Sequence, residues 1–177
     1  MRYPTLILAL TGASFLTGCS SLVSLNPFIA DGSATDAGLI GAWKNADPKN
    51  EDMYLIKQDG ASYAIKYIGE KNDVSNFRAQ LAKIGDAEFL DLVTADDTPF
   101  TVPVHVLVRV WPGDDKMQWA FLDSDWMRQQ AKQSLATQEN SDRTLITHQG
   151  DAVAQFLKKF GTDDRAHGEA VDLVKAH

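Results

Sequence analysis

The chain has 177 residues, 44% of them hydrophobic, and carries 17 Lys plus Arg against 24 Asp plus Glu for a formal net charge of −7. That length suits one domain with a sizeable core. The acidic balance repels phosphate backbones and anionic headgroups, which argues against a nucleic-acid binder and against a protein held to membranes by a basic patch.

The amino terminus reads MRYP, then TLILALTGASF, then LTGC. A basic residue, a short apolar run and small residues before Cys19 follow the order of a secretory signal, and the run is too short to span a bilayer. Cys19 is the single cysteine of the chain. Leu16-Thr17-Gly18-Cys19 resembles the lipobox of bacterial lipoproteins. The resemblance implies that residues 1–18 are a lipoprotein signal peptide, that Cys19 carries a diacylglycerol on its sulfur and an N-acyl chain, and that no other cofactor is needed. Three acyl chains exceed what stable anchoring requires. Ser20 and Ser21 follow, with no Asp in the position that retains many such lipoproteins at the inner membrane. The resemblance therefore implies an outer-membrane location, facing the periplasm. The alternative is a plain secretory signal or short membrane anchor with an incidental cysteine. With its thiol modified the chain has no disulfide, so its fold rests on a core.

Residues 19–38 are small and polar apart from LVSL and PFI, and are expected to form a tether whose apolar spots dock on the domain or on lipid. Residues 39–177 then make the domain. Their first part alternates with a period of two: LIGAWKN (39–45), DMYLIKQ (52–58), SYAIKYIG (62–69), VSNFRAQLAKIG (74–85), EFLDLV (88–93), VPVHVLVRVWP (102–112) and KMQWAFLD (116–123). Gly, Pro, Asn and Asp punctuate the gaps, as turns require. Strands in succession with no helix between them predict a mainly β fold: an antiparallel meander with one wet and one dry face. Closing it into a barrel removes its exposed edges.

Gly41-Ala42-Trp43, at the start of the first of these strands, resembles the G-x-W with which lipocalin and calycin barrels begin. In that group the Trp packs across the closed end and is often paired with an Arg from a late strand, a role for which Arg109 is the candidate. LDSDWMRQQ (122–130) also resembles uncharacterised proteobacterial lipoproteins.

Two helices are predicted next, with a short strand, TLIT (144–147), between them. Ser124-Asp125 opens WMRQQAKQSLA, in which Met127, Ala131 and Leu135 share a face. DAVAQFLKKF carries Val153, Phe156, Leu157 and Phe160 as one stripe before Gly161, a face to be buried on the barrel's flank or mouth. HGEAVDLVKAH is expected to form a last short helix or to fray.

The four histidines, His105, His148, His167 and His177, lack metal-ligand spacing, and the acidic pairs sit at turns or helix starts without an EF-hand's offsets, so no metal site is predicted. G-x-S-x-G, P-loop and H-E-x-x-H motifs are absent, and no enzyme is predicted. PVHVLVRVW splits into a valine face and a face of His105, Leu107, Arg109 and Trp111. Either the valines fill the core and the mixed face meets solvent or a helix, or His105 and Arg109 point inward beside Tyr63, Tyr67 and Trp119 to orient an acidic headgroup in an apolar pocket. Two functions lead, ahead of an enzyme: a barrel that binds a small apolar or amphipathic ligand, and a filled barrel that docks an envelope partner. An apolar void of a few hundred Å³ favours the first.

Overall fold

The computed structural model describes residues 21–29, 34–69, 73–95, 102–140, 143–149 and 151–176, so the lipobox and the apolar run before it lie outside the described residues. In chain order the elements are β1 (Ser21–Ser24), a 3-10 turn (Ala37–Leu39), β2 (Gly41–Asn45), β3 (Met53–Asp59), β4 (Ser62–Ile68), β5 (Val74–Ile84), β6 (Ala87–Thr94), β7 (His105–Trp111), β8 (Lys116–Phe121), α1 (Asp125–Ser134), β9 (Thr137–Asn140), β10 (Arg143–Ile146), α2 (Asp151–Phe160) and β11 (Val171–Lys175).

Each of β2 to β7 pairs antiparallel with its successor. The ring closes through β11, which pairs antiparallel with both β8 and β2. The result is a closed eight-stranded antiparallel barrel. Two of its hairpins turn on glycines at φ 60°, Gly60 and Gly85, a backbone conformation in which a side chain is strained. The closing strand is a departure from the sequence reading, which expected a short helix or a frayed end there. A meander ending at β8 would leave the free edges of β2 and β8 exposed. Val171 and Leu173 alternate with Asp172 in the period a strand needs to fill that gap.

Alternation assigns the inside. Ile56, Tyr63, Ile65, Ala79, Leu81, Leu90, Val108, Val110, Met117 and Leu173 form one buried cluster within the barrel. The outer face is not uniformly wet. On β6 every residue from Ala87 to Leu92 is buried, because Leu90 and Leu92 face inward while Phe89 faces a second core outside the barrel.

That second core is built by the remaining elements. Ser124 caps α1, its hydroxyl accepting from the Met127 amide at 3.1 Å, and Met127 and Ala131 turn inward. α2 buries Val153, Phe156 and Leu157 beside Phe89, Leu107 and Ile146, so it covers the flank of the barrel rather than its mouth. Residues 21–29, within the stretch read as a tether, are packed here. β1 runs parallel to β10, and Leu22, Phe28 and Ile29 are buried in this core. Apolar residues in such a short span dock on the domain because a ready apolar face lies beside them.

Candidate functional site

One end of the barrel is packed solid. Trp43 is wholly buried there, and its indole N–H donates to the Leu39 carbonyl at 2.9 Å, which ties β2 to the 3-10 turn beneath it. Tyr63 is also fully buried, and its hydroxyl accepts from the Asp36 amide at 2.6 Å. Gly41 stands at φ 145°, a backbone conformation in which a side chain is strained, while a Cβ there would meet the Lys175 Cε at 3.4 Å and the Trp43 indole nitrogen at 3.7 Å, no closer than ordinary contact. The cation over Trp43 is Lys175, from the closing strand, with its Nζ 5.3 Å from the ring centroid.

That placement corrects the pairing expected for Arg109. Arg109 stands on the outer face of β7, where its guanidinium lies 4.8 Å from the Trp111 ring centroid and 3.7 Å from an Asp164 carboxylate oxygen. His105 is on the same outer face. Its Nδ1 lies 2.8 Å from Asp91 Oδ1, while Asp91 Oδ2 accepts from the Phe28 and Ile29 amides at 2.8 and 3.2 Å. The buried Asp91 carboxylate therefore holds the N-terminal segment to the barrel, and His105 supports it. Neither His105 nor Arg109 enters the barrel. The physical reason is strand parity: with Val108 and Val110 inside, positions 105 and 109 must face out.

The opposite end is open. By register it gathers the starts of β3, β5, β7 and β11 and the ends of β2, β4, β6 and β8. Between them lies a cup of about 340 Å³. Its wall includes Tyr54, Tyr67, Phe77, Val106, Trp119 and Phe121, and none of the residues lining it is charged. The ring centroid of Tyr54 is 4.3 Å from that of Trp119, edge-on, and 5.3 Å from that of Tyr67. Tyr67 donates its hydroxyl to Asp52 Oδ1 at 2.9 Å. Burial, with the Asp52 charge adding to it, raises the Tyr54 hydroxyl well above the ordinary tyrosine range, so it stays protonated. Of the exposed large apolar side chains among the described residues, Phe121 lines the cup and Val74 begins β5 at this end.

Of the residues singled out as pocket candidates, the fold brings Tyr67 and Trp119 together in the cup, places Tyr63 in the packed floor with its hydroxyl occupied, and leaves His105 and Arg109 outside. Sequence reasoning missed Tyr54, Phe77, Val106 and Phe121. Tyr54 pairs with both Trp43 and Tyr67 across the strands, so counting inward parity from Trp43 through the hairpin would have found it. Phe121 carried the same signal, two positions after Trp119 on one face of β8, although only closure places it in the lining.

No protein-family model matches the chain, and neither a curated protein nor a solved structure matches it significantly.

Proposed function

We propose that this protein is a lipid-anchored envelope protein whose lipocalin-like barrel binds one small apolar or amphipathic molecule in its open end. The observation that carries this reading is the division of the barrel: a solid floor of Trp43, Tyr63 and Leu81 beneath an uncharged apolar cup of about 340 Å³. That volume falls at the lower end of the range of ligand pockets, about 300 to 1,000 Å³. A purely structural barrel gains nothing from leaving interior space unfilled, because unfilled space forfeits dispersion contacts. The polar atoms among the lining side chains are the hydroxyls of Tyr54, Tyr67 and Thr94 and the indole N–H of Trp119, none of them ionised, which suits holding a molecule rather than transforming it. An exposed apolar side chain in the cup's lining, Phe121, suits delivery of a poorly soluble ligand.

The anchor in this reading is Cys19, with the outer membrane as its location and the periplasm as its compartment. β1 begins at Ser21, two positions after Cys19. Two residues reach at most about 7 Å, so lipid on that thiol holds the domain close against the bilayer rather than on a long leash.

The test uses the chain from residue 19 onward carrying Cys19→Ser, which retains every described residue and needs no detergent. N-phenyl-1-naphthylamine, a neutral apolar fluorophore, should bind at one equivalent. Val106→Trp, which fills the cup from its wall, should abolish that binding while the far-UV dichroism is unchanged. A parent protein that takes up no fluorophore and carries no adduct in native mass spectrometry would exclude a ligand-holding cup.

A further inference from the structure

Resting on the reading of the cup as a ligand site, we infer that it selects amphiphiles with a cationic head and discriminates against carboxylates of the same chain length, with Asp52 as the residue that sets the preference. The cup itself is uncharged. What distinguishes one end of a ligand from the other is therefore whatever charge stands at the mouth.

There Tyr67 is a shared wall. One side of it lines the cup, and the other lines an adjoining cleft of about 490 Å³. Among the described residues the cleft carries three carboxylates, Asp47, Asp52 and Asp73, and one ammonium, Lys49. Asp52 is the carboxylate tied to the cup, through the 2.9 Å hydrogen bond from the Tyr67 hydroxyl. Gly69 makes that contact possible. A Cβ there would lie 2.6 Å from the Tyr67 hydroxyl oxygen and 2.9 Å from the ring carbon bearing it, so the bare backbone lets the phenol lie over it. The charge of Asp52 also reaches into the cup, since, after burial, it helps hold the Tyr54 hydroxyl above the ordinary tyrosine range.

A ligand tail packed against Phe77, Val106 and Trp119 places its head at this mouth. A carboxylate there meets Asp52 with no cation among the residues lining the cup, and like charges at such range disfavour its ionised form. An ammonium head meets the same carboxylate favourably, with the rings of Tyr54 and Tyr67 beside it as further partners for a cation. His105 and Arg109, which could have reversed this preference, are on the outside of the barrel.

Isothermal titration of the Cys19→Ser chain with dodecyltrimethylammonium, dodecanoate and dodecyl maltoside, each below its micelle concentration and at low ionic strength, separates the possibilities. The ammonium should bind about tenfold or more tighter than the carboxylate, with the maltoside between them. Asp52→Asn should bring the two charged probes to within about threefold of each other while leaving the maltoside unchanged, and added salt should narrow the parent's gap. An Asp52 that merely props the wall would weaken all three probes alike in that variant. Dodecanoate binding as tightly as the ammonium, or Asp52→Asn weakening every probe equally, would overturn the charge preference and leave the cup as a binding site. Failure of all three probes and of the neutral fluorophore to bind would overturn the cup reading itself.

Discussion

Trp43 shows how one residue can organise an end of a barrel. It is fully buried, donates to Leu39 below and carries Lys175 above, so it joins the first barrel strand, the turn before it and the closing strand. Trp43→Ala should cost about 3 to 5 kcal/mol, the range for large buried aromatics, read as a lower urea midpoint. A change corresponding to under about 1 kcal/mol would mean that the floor is not packed around it. The buried tyrosines add a pH dependence of defined sign. Burial raises the hydroxyl pKa of both Tyr54 and Tyr63 above that of an unfolded tyrosine. The unfolded chain ionises at about 10, so stability is intact below that pH and falls as pH climbs from there through the folded values. Urea midpoints measured from about pH 8 to about pH 12 should decline from about pH 10 onward, and Tyr54→Phe should flatten part of that decline. A parent midpoint that stays level across this window would contradict the burial of these hydroxyls.

At the scale of elements, the flank explains why helices follow the strands. α2 spans ten residues, too short to persist alone in water, and it is held by Val153, Phe156 and Leu157 in the outer core. Phe160 is only partly buried and makes ring contacts with Trp126 and Phe156 instead. Phe156→Asp would place a carboxylate between α1, β6 and the N-terminal segment, and should cost several kcal/mol. Amide exchange between Asp151 and Phe160 should rise with it. Because α2 covers the flank and not the mouth, uptake of the neutral fluorophore per folded molecule should be unchanged in this variant. A variant as stable and as protected as the parent would mean that the stripe does not hold the helix.

For the whole molecule, the two cores share a wall. β6 and β7 present Leu90, Leu92, Val108 and Val110 to the barrel and Phe89 and Leu107 to the helices, so the barrel and the flanking layer fold as one unit. The N-terminal segment joins that unit through β1 and through the Asp91 carboxylate. An anchor at Cys19 would thus pull on a folded element. Cys19→Ala in the full chain should leave an unlipidated precursor, because no other residue can supply the thioether. Palmitate label still entering that variant would refute Cys19 as the attachment point.

Much of this architecture was legible without coordinates. Alternation over β2 to β8, turn residues between them and the stripe of α2 are local signals, and local signals survive in a linear string because each reflects one element's own period. Gly41 and Trp43 marked the closed end through the resemblance of their G-x-W spacing and not through any period. What the chain alone left open were the features that depend on two distant segments meeting. β11 is short and ends in a lysine, and only the gap between β2 and β8 makes it a strand. The packing of residues 21–29 needed the apolar face of β6 and β7 beside them. Whether His105 and Arg109 faced in or out, and whether the interior was full, were decided by barrel closure. Parity along one strand is relative until a ring of partners defines which side is inside, and a cup is the space that the whole ring fails to fill.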